Sequence, residues 1–234
     1  PWYEPLSLLT MIASHTTKIK LATAILIAPL RNPALLAKTV ATLDTISKGR
    51  LELGVGIGWQ KEEFDTAGVS FEDRSEIFWE TLDICKLLWQ DSPISFHGKH
   101  FNFDDIWCHP QPTQGQNLPL LFGLKMTREN AQRISKVGHG WIPIKTSRDF
   151  ISAGKDILME AFIKEGRQDQ PRIRGQLPTC VDNNGVPNID LTLKELEKSM
   201  AAGLDEVEVF PINFVQSPDD IYKVLKIISE VKQI

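Results

Sequence analysis

The stretch SKGRLELGVGIGW, Ser47–Trp59, decides how the rest of the chain is read. Lys48-Gly49 ends a helix, Arg50–Val55 reads as a strand, and Gly54, Gly56 and Gly58 fall on alternate positions. Glycines at a strand end remove side chains where a ligand or another backbone comes close. A dinucleotide fingerprint needs GxGxxG, a helix opening on its last glycine and an acid ending the next strand. Here the spacing is GxGxG, and the polar stretch after Trp59 runs to Gly68 with no such strand beyond it. A Walker loop is excluded because no GK[ST] follows. Two readings stay open: a strand end cleared for a flat ligand, and close strand packing inside a barrel.

Upstream, KLATAILIAP (Lys20–Pro29) is a nearly continuous apolar run, the pattern of a strand buried on both faces. Glu4–Ser14 reads as a helix with Leu8, Leu9 and Ile12 on one side. Asn32 and Pro33 read as the N-cap and first residue of a helix that continues over Ala34–Ile46, with Leu36, Val40 and Leu43 at helical spacing. Downstream, Glu76–Gln90 is a helix with Ile77, Leu82, Cys85, Leu88 and Trp89 as its apolar side. Ile94–Phe103 alternates around Gly98 as a β-hairpin, and with the Pro- and Gln-rich loop after it forms an excursion near 94–118. Then come a strand in LPLLFG, a helix near Arg128–Lys136, a strand at Trp141–Ile144 and a helix near Asp149–Glu165. A strand over Arg172–Val181, a helix Leu193–Ala202, a strand Glu206–Phe210 and a helix Pro218–Lys232 complete the order. A helix followed by six βα units means a parallel sheet covered by helices, either doubly wound or a (β/α)8 barrel. No linker or repeat divides the chain, so residues 1–234 are expected to form a single domain.

Hydrophobic residues make up 42% and charged residues 24%, with a net charge of −4, the profile of a globular protein. No basic stripe points to nucleic acid. The longest apolar run, Leu21–Leu30, is too short to span a bilayer. Cys85, Cys108 and Cys180 are odd in number and form no CxxC, which suits free thiols in a reducing cytosol. With no signal-peptide pattern, a cytoplasmic protein is expected. The opening PWYEPLSLLTMIA reads as mid-domain sequence, so more chain is expected upstream.

LATAILIAPLRNPALLAKTVATLDTISKGRLELGVGIGWQKEEFDTAGVSFEDR, followed in order by PISFHGKHFNFDD, QPTQGQNLPLLFG and VGHGWIP, resembles the bacterial-luciferase-like superfamily of flavin- and deazaflavin-dependent oxidoreductases. The similarity is clear from Pro1 to about Pro143 and strongest to the branch usually assigned coenzyme F420. The resemblance implies a luciferase-like TIM barrel that lacks its first two strands, Pro1 falling just before the family's second helix. Such an opening exposes strand edges and apolar interior, so a longer polypeptide or a covering partner is expected. It also implies a homodimer, a cofactor that is either coenzyme F420 or FMN, and a small organic substrate.

In such barrels function sits at the C-terminal ends of the strands. The resemblance places a non-prolyl cis peptide behind the cofactor ring at Ala24–Ile25, with an ordinary trans strand as the alternative. It places the backbone around Gly56 along the cofactor, with Trp59 near the ring or tail. Packing as a core or interface aromatic is the alternative for Trp59. Some relatives bind the flavin phosphate with an arginine where this chain has Ile57, a departure that counts against FMN. Arg74, in FEDRSE, matches a phosphate-contacting arginine, and its fork suits that role. A salt bridge to Glu72 or Asp73 is the alternative. The family's Gly-Gly-Ser-Ser segment, where a strand meets a helix start, is here Gly123-Leu124-Lys125-Met126. Backbone donors survive that change and Lys125 adds charge at a helix start suited to anions. Thr127 reads as the N-cap there, with Asn130 as a partial capping-box partner.

His97 and His100 flank a hairpin glycine and lack carboxylate or cysteine companions at metal-ligand spacing, so no metal is expected. His139 stands where relatives often carry Asp. The family's substrate and proton-transfer residues lie at its first two strand ends, so no catalytic acid or base is named. Reduced FMN would make the enzyme a monooxygenase, and the deazaflavin a hydride-transfer enzyme. The rival is a non-catalytic flavin- or deazaflavin-binding relative.

Overall fold

The computed structural model describes residues 3–145, 147–215 and 217–231. It divides into two compact units, 1–124 and 125–234.

The first unit begins with α1 (Pro5–His15), whose N-cap Glu4 accepts from the Ser7 amide at 2.6 Å. The strands β1 (Leu21–Ala22) and β2 (Leu26–Ile27) follow. Next come α2 (Pro33–Ser47), β3 (Leu51–Gly56), α3 (Lys61–Ala67) and α4 (Arg74–Gln90). The hairpin β4 (Ile94–His97) and β5 (Asn102–Ile106) precedes β6 (Leu120–Gly123). Central β3 is buried along its whole length, with β1 and β2 parallel to it on one side and β6 parallel on the other. Local chemistry sets α2. The Asn32 side chain accepts from the Leu35 amide at 3.1 Å, Pro33 occupies the first turn, and Lys48 ends the helix in the left-handed region. Its buried Leu36, Val40 and Leu43 form the apolar stripe, and the Trp89 indole of α4 donates to Ala37 O at 3.0 Å. Arg50, at the start of β3, fastens α1 to this layer. Its guanidinium donates to Ser47 O, Thr16 Oγ1, Ile19 O, Ala13 O and Thr16 O at 2.7–3.0 Å.

The second unit contains α5 (Arg128–Val137), β7 (Gly140–Trp141), α6 (Arg148–Lys164) and β8 (Arg172–Gln176). It ends with α7 (Ile189–Lys194), α8 (Leu196–Ala201), β9 (Glu206–Glu208) and α9 (Ile221–Ser229). Strands β7, β8 and β9 are parallel neighbours, with Trp141 beside Ile173 and Arg174 beside Glu206. Arg167 closes α5 by donating to Ser135 O and Gly138 O, and its guanidinium stacks on Phe162 at 4.0 Å.

Several expected elements change on folding. The single strand over Lys20–Pro29 is broken into β1 and β2, for the register reason given below. The polar stretch after Trp59 contains α3, closed at Gly68 in the left-handed region. The strand expected over Arg172–Val181 stops at Gln176, just before Pro178, which has no N–H to donate. The expected helix Leu193–Ala202 starts earlier, because Asn188 caps the Leu191 amide, and is divided at Glu195 into α7 and α8. The strand at Trp141–Ile144 shortens to Gly140–Trp141 ahead of Pro143. The last helix begins at Ile221 after a 3-10 turn, and Lys232 lies outside the described residues. No helix among the described residues is long and apolar enough to cross a membrane.

Candidate active site

The glycine-rich end of β3 owes its composition to the broken strand beside it. Leu21 and Ala22 pair with Leu51 and Glu52, whereas Leu26 and Ile27 pair with Val55 and Gly56. Thr23, Ala24 and Ile25 therefore stand opposite only Leu53 and Gly54, a one-residue bulge. The Thr23 hydroxyl bridges the gap, accepting from the Gly54 amide at 3.0 Å and donating to Gly54 O at 2.8 Å. The Ala24–Ile25 peptide is cis, as the family resemblance implies. The bulge turns the Ile25 side chain across two strand ends. A β-carbon on Gly56 would lie 2.7 Å from Ile25 Cδ1, and one on the paired Gly123 would lie 2.8 Å from Ile25 Cγ2. Gly58, at φ 85°, faces Ile27 and the Phe64 ring equally closely. Of the two readings left open by the glycine spacing, close packing thus accounts for Gly56, Gly58 and Gly123. Ala24 and Ile25 also border a groove of about 770 Å³ that reaches Ile27, Leu30, Arg31 and Glu63.

Arg74 connects to this strand end through aromatic rings. Phe64, beside Gly58, meets Phe71 edge-on at 5.3 Å, and the Arg74 guanidinium lies 3.9 Å from the Phe71 ring centre. Arg74 donates Nη1 to Phe71 O at 2.6 Å, while its buried Nε has no partner. Among the described residues it makes no ion pair with Glu72 or Asp73, and Asp73 instead accepts from Ser70 Oγ at 2.8 Å. The salt-bridge alternative for Arg74 is therefore corrected. Trp59 is 82% exposed, which rules out the core alternative for it. Ile57, where some relatives have arginine, is half-buried.

The segment Gly123–Met126 crosses from the first unit to the second. Gly123 and Leu124 end the first, with Leu124 buried; in the second, Lys125 is exposed and Met126 buried. Thr127 caps α5 as expected, accepting from the Asn130 amide at 3.1 Å. The Asn130 side chain does not complete a capping box. It donates instead to Lys125 O at 2.9 Å, which fixes the carbonyl of the segment. His139 is half-buried, and its carbonyl accepts from the Arg172 amide.

One acid went unnamed in the sequence reading. Glu208 is the last residue of β9, and its Oε1 is buried without a partner. Burial pushes its carboxyl above the ordinary glutamate range, partly offset by Arg174. Neighbouring Glu206 takes both arginines of β8, accepting from Arg172 Nε at 2.6 Å and Arg174 Nε at 2.7 Å. The alternation in EVEV was the available signal, because it puts both glutamates on one strand face.

Parallel strands covered by helices, with a bulged strand and glycine-lined strand ends, place the chain in the α/β class. The chain belongs to the luciferase-like monooxygenase family, whose model matches residues 1–185. It is 33% identical over 174 residues to an uncharacterized protein of Mycobacterium tuberculosis, covering 74% of this chain and 59% of that protein. It is 29% identical over 178 residues to an F420-dependent glucose-6-phosphate dehydrogenase of Kineococcus radiotolerans, covering 74% of this chain and 51% of that one. The chain thus spans 51–59% of the length of these relatives. Its fold matches coenzyme F420-dependent tetrahydromethanopterin reductase from Methanopyrus kandleri with a TM-score of 0.78 at 18% identity, over 97% of this chain and 86% of that one. It also matches the FMN-bound oxygenating constituent of 3,6-diketocamphane monooxygenase from Pseudomonas putida, with a TM-score of 0.77 at 17% identity, over 97% and 82%. Its sequence relatives thus include an F420-dependent enzyme, and its fold is shared with an F420-dependent and an FMN-bound enzyme.

Proposed function

We propose that this chain serves a hydride-transfer oxidoreductase that holds coenzyme F420 and acts on a small organic substrate. The observation that carries the reading is Arg74, a guanidinium stacked on Phe71 with a buried, unpartnered Nε. Such a group fits the anionic end of a deazaflavin or flavin. The backbone at Ala24, Ile25, Gly56, Gly123 and Leu124 would flank the ring, with Trp59 exposed beside the same strand end. In the second unit, Lys125 and Met126 open the anion-attracting start of α5. The bound group would supply the electron-pair chemistry, while the chain fixes its position and shields it from water. Ile57 offers no charge for a flavin phosphate, which favours the deazaflavin. The resemblance supports a homodimer, and the unpaired cysteines suit a reducing cytosol.

A fluorescence titration with coenzyme F420, run beside FMN, tests this. Saturable binding of F420, weakened about tenfold or more in R74M, is the expected result. Binding of FMN alone would replace the reading with a monooxygenase. Binding of F420 with no turnover across an alcohol and imine panel would favour a non-catalytic cofactor carrier.

A further inference from the structure

Asp73 at the start of α4, and Glu76 and Glu80 within it, follow one another at helical spacings of three and four. The turn of the β4–β5 hairpin docks against this stretch. The Glu80 carboxylate accepts from three consecutive backbone amides, of Lys99 at 2.8 Å, His100 at 2.9 Å and Phe101 at 3.2 Å. That clamp fixes the turn, and the turn aims the His100 imidazole at Glu76, with Nε2 2.9 Å from Oε2. The His100 side chain is only 15% exposed. Asp73 precedes α4 without capping it, and its carboxylate is held by Ser70 Oγ. Nitrogen and oxygen donors of Asp73, Glu76 and His100 consequently lie within 4.8 Å of one another. Ligand atoms around a first-row divalent ion, at about 2.0–2.2 Å each, stand roughly 3–4 Å apart, so small rotations would close the set.

We propose that Asp73, Glu76 and His100 form a binding site for a divalent transition-metal ion, guarded by Lys99. Two carboxylates and a neutral imidazole balance a charge of two. That mixed donor set suits zinc, cobalt or manganese rather than calcium, which takes six to eight oxygens. The Lys99 ammonium now sits 2.5 Å from the Glu76 oxygen that also faces His100. It holds the place of a cation, so ion binding and the Lys99 pair exclude each other. Ser70 on Asp73 and Glu80 on the turn backbone are the supporting partners that orient the ligands. An ion here would tie the hairpin to the first turn of α4. His97 is no part of the site, because it faces Asn102 at 2.7 Å and Asp104 at 3.2 Å. The site stands whether or not the cofactor reading holds.

The test is Co²⁺ titration followed by visible absorption, with Zn²⁺ equilibrium dialysis in parallel, on the apo chain and on K99M, E76Q, H100Q and H97Q. Circular dichroism and thermal unfolding confirm that each variant is folded. One equivalent should bind; K99M should bind about tenfold more tightly, and E76Q and H100Q about tenfold or more weakly, the scale of losing a ligand or its support. H97Q should match the parent. Binding undiminished in both E76Q and H100Q, or no binding by K99M at millimolar ion, overturns the proposal. If H100Q unfolds, broadening of the His100 ring resonances by Mn²⁺ in the unaltered chain decides it, and their insensitivity refutes the site.

Discussion

Thr23→Val isolates the device that holds the bulge between β1 and β2. The substitution keeps the shape and removes one buried hydroxyl, which now makes two hydrogen bonds to Gly54. Each neutral bond contributes about 0.5–1.5 kcal/mol net, and a buried amide left without its acceptor costs about 1–3 kcal/mol. The two effects overlap, so the expected loss is about 2–4 kcal/mol. For a chain of this size that is a fall in Tm of roughly 5–15 °C. Thr23→Ser keeps both bonds, loses one buried methyl group and should cost only about 1 kcal/mol. Urea denaturation measures the difference, and amide exchange reports its location, because the Gly54 N–H should exchange faster in T23V than in T23S. A T23V protein within about 1 kcal/mol of the parent, with Gly54 exchange unchanged, would show that the hydroxyl bridge does not secure the bulge.

Gly123→Ala should destabilise by about 1–3 kcal/mol, since its β-carbon would meet the branched Cγ2 of Ile25. Adding Ile25→Ala should recover part of that loss, a coupling that a double-mutant cycle in urea would read. Gly56→Ala would meet Ile25 Cδ1 at 2.7 Å, Ile25 Cγ1 at 3.0 Å and the Gly123 carbonyl oxygen at 3.3 Å, and should cost at least as much as Gly123→Ala. Arg50→Lys keeps the charge but loses most of a five-donor fork, and urea unfolding should show a loss of about 2–4 kcal/mol. Glu208 has its carboxyl raised by burial, so its contribution to stability is full below the unfolded glutamate range and is lost as pH rises through the folded value. E208Q should therefore gain stability relative to the parent from acid toward neutral pH, and thermal melts showing a pH-independent difference would contradict this.

The parts that were legible in the sequence are those decided within one turn of chain. Asn32-Pro33 and Lys48-Gly49 bound α2 by capping and a left-handed residue, and the structure follows them closely. Thr127 caps α5 for the same reason. The apolar run over Lys20–Pro29 was legible as a buried strand, but not its break. A bulge depends on the register against β3, and hydrophobicity is the same on either side of it. Helix α3 escaped notice because seven residues with Phe64 as their buried member make no stripe. Arg74 could be picked out only by resemblance, because its support, the nearby rings of Phe71 and Phe64, is arranged by the turn between α3 and α4 rather than by any periodicity. Glu208 was hidden for a related reason. Its alternation with Glu206 is visible, but which glutamate is left unpaired depends on where two arginines of β8 fall in register.

The glycines of Ser47–Trp59 join these lessons. Their spacing alone was enough to exclude a dinucleotide loop, since that motif is a local geometry. Why they are glycines was not local. One isoleucine from an earlier strand, turned inward by a one-residue bulge, occupies the space over Gly56 and Gly123 together. A ligand lying against that strand end would meet a floor of Ile25 and backbone. The shape of this floor is therefore set by Thr23, Ile25, Gly56 and Gly123 acting as a unit, and a change at one of them should be felt at the others.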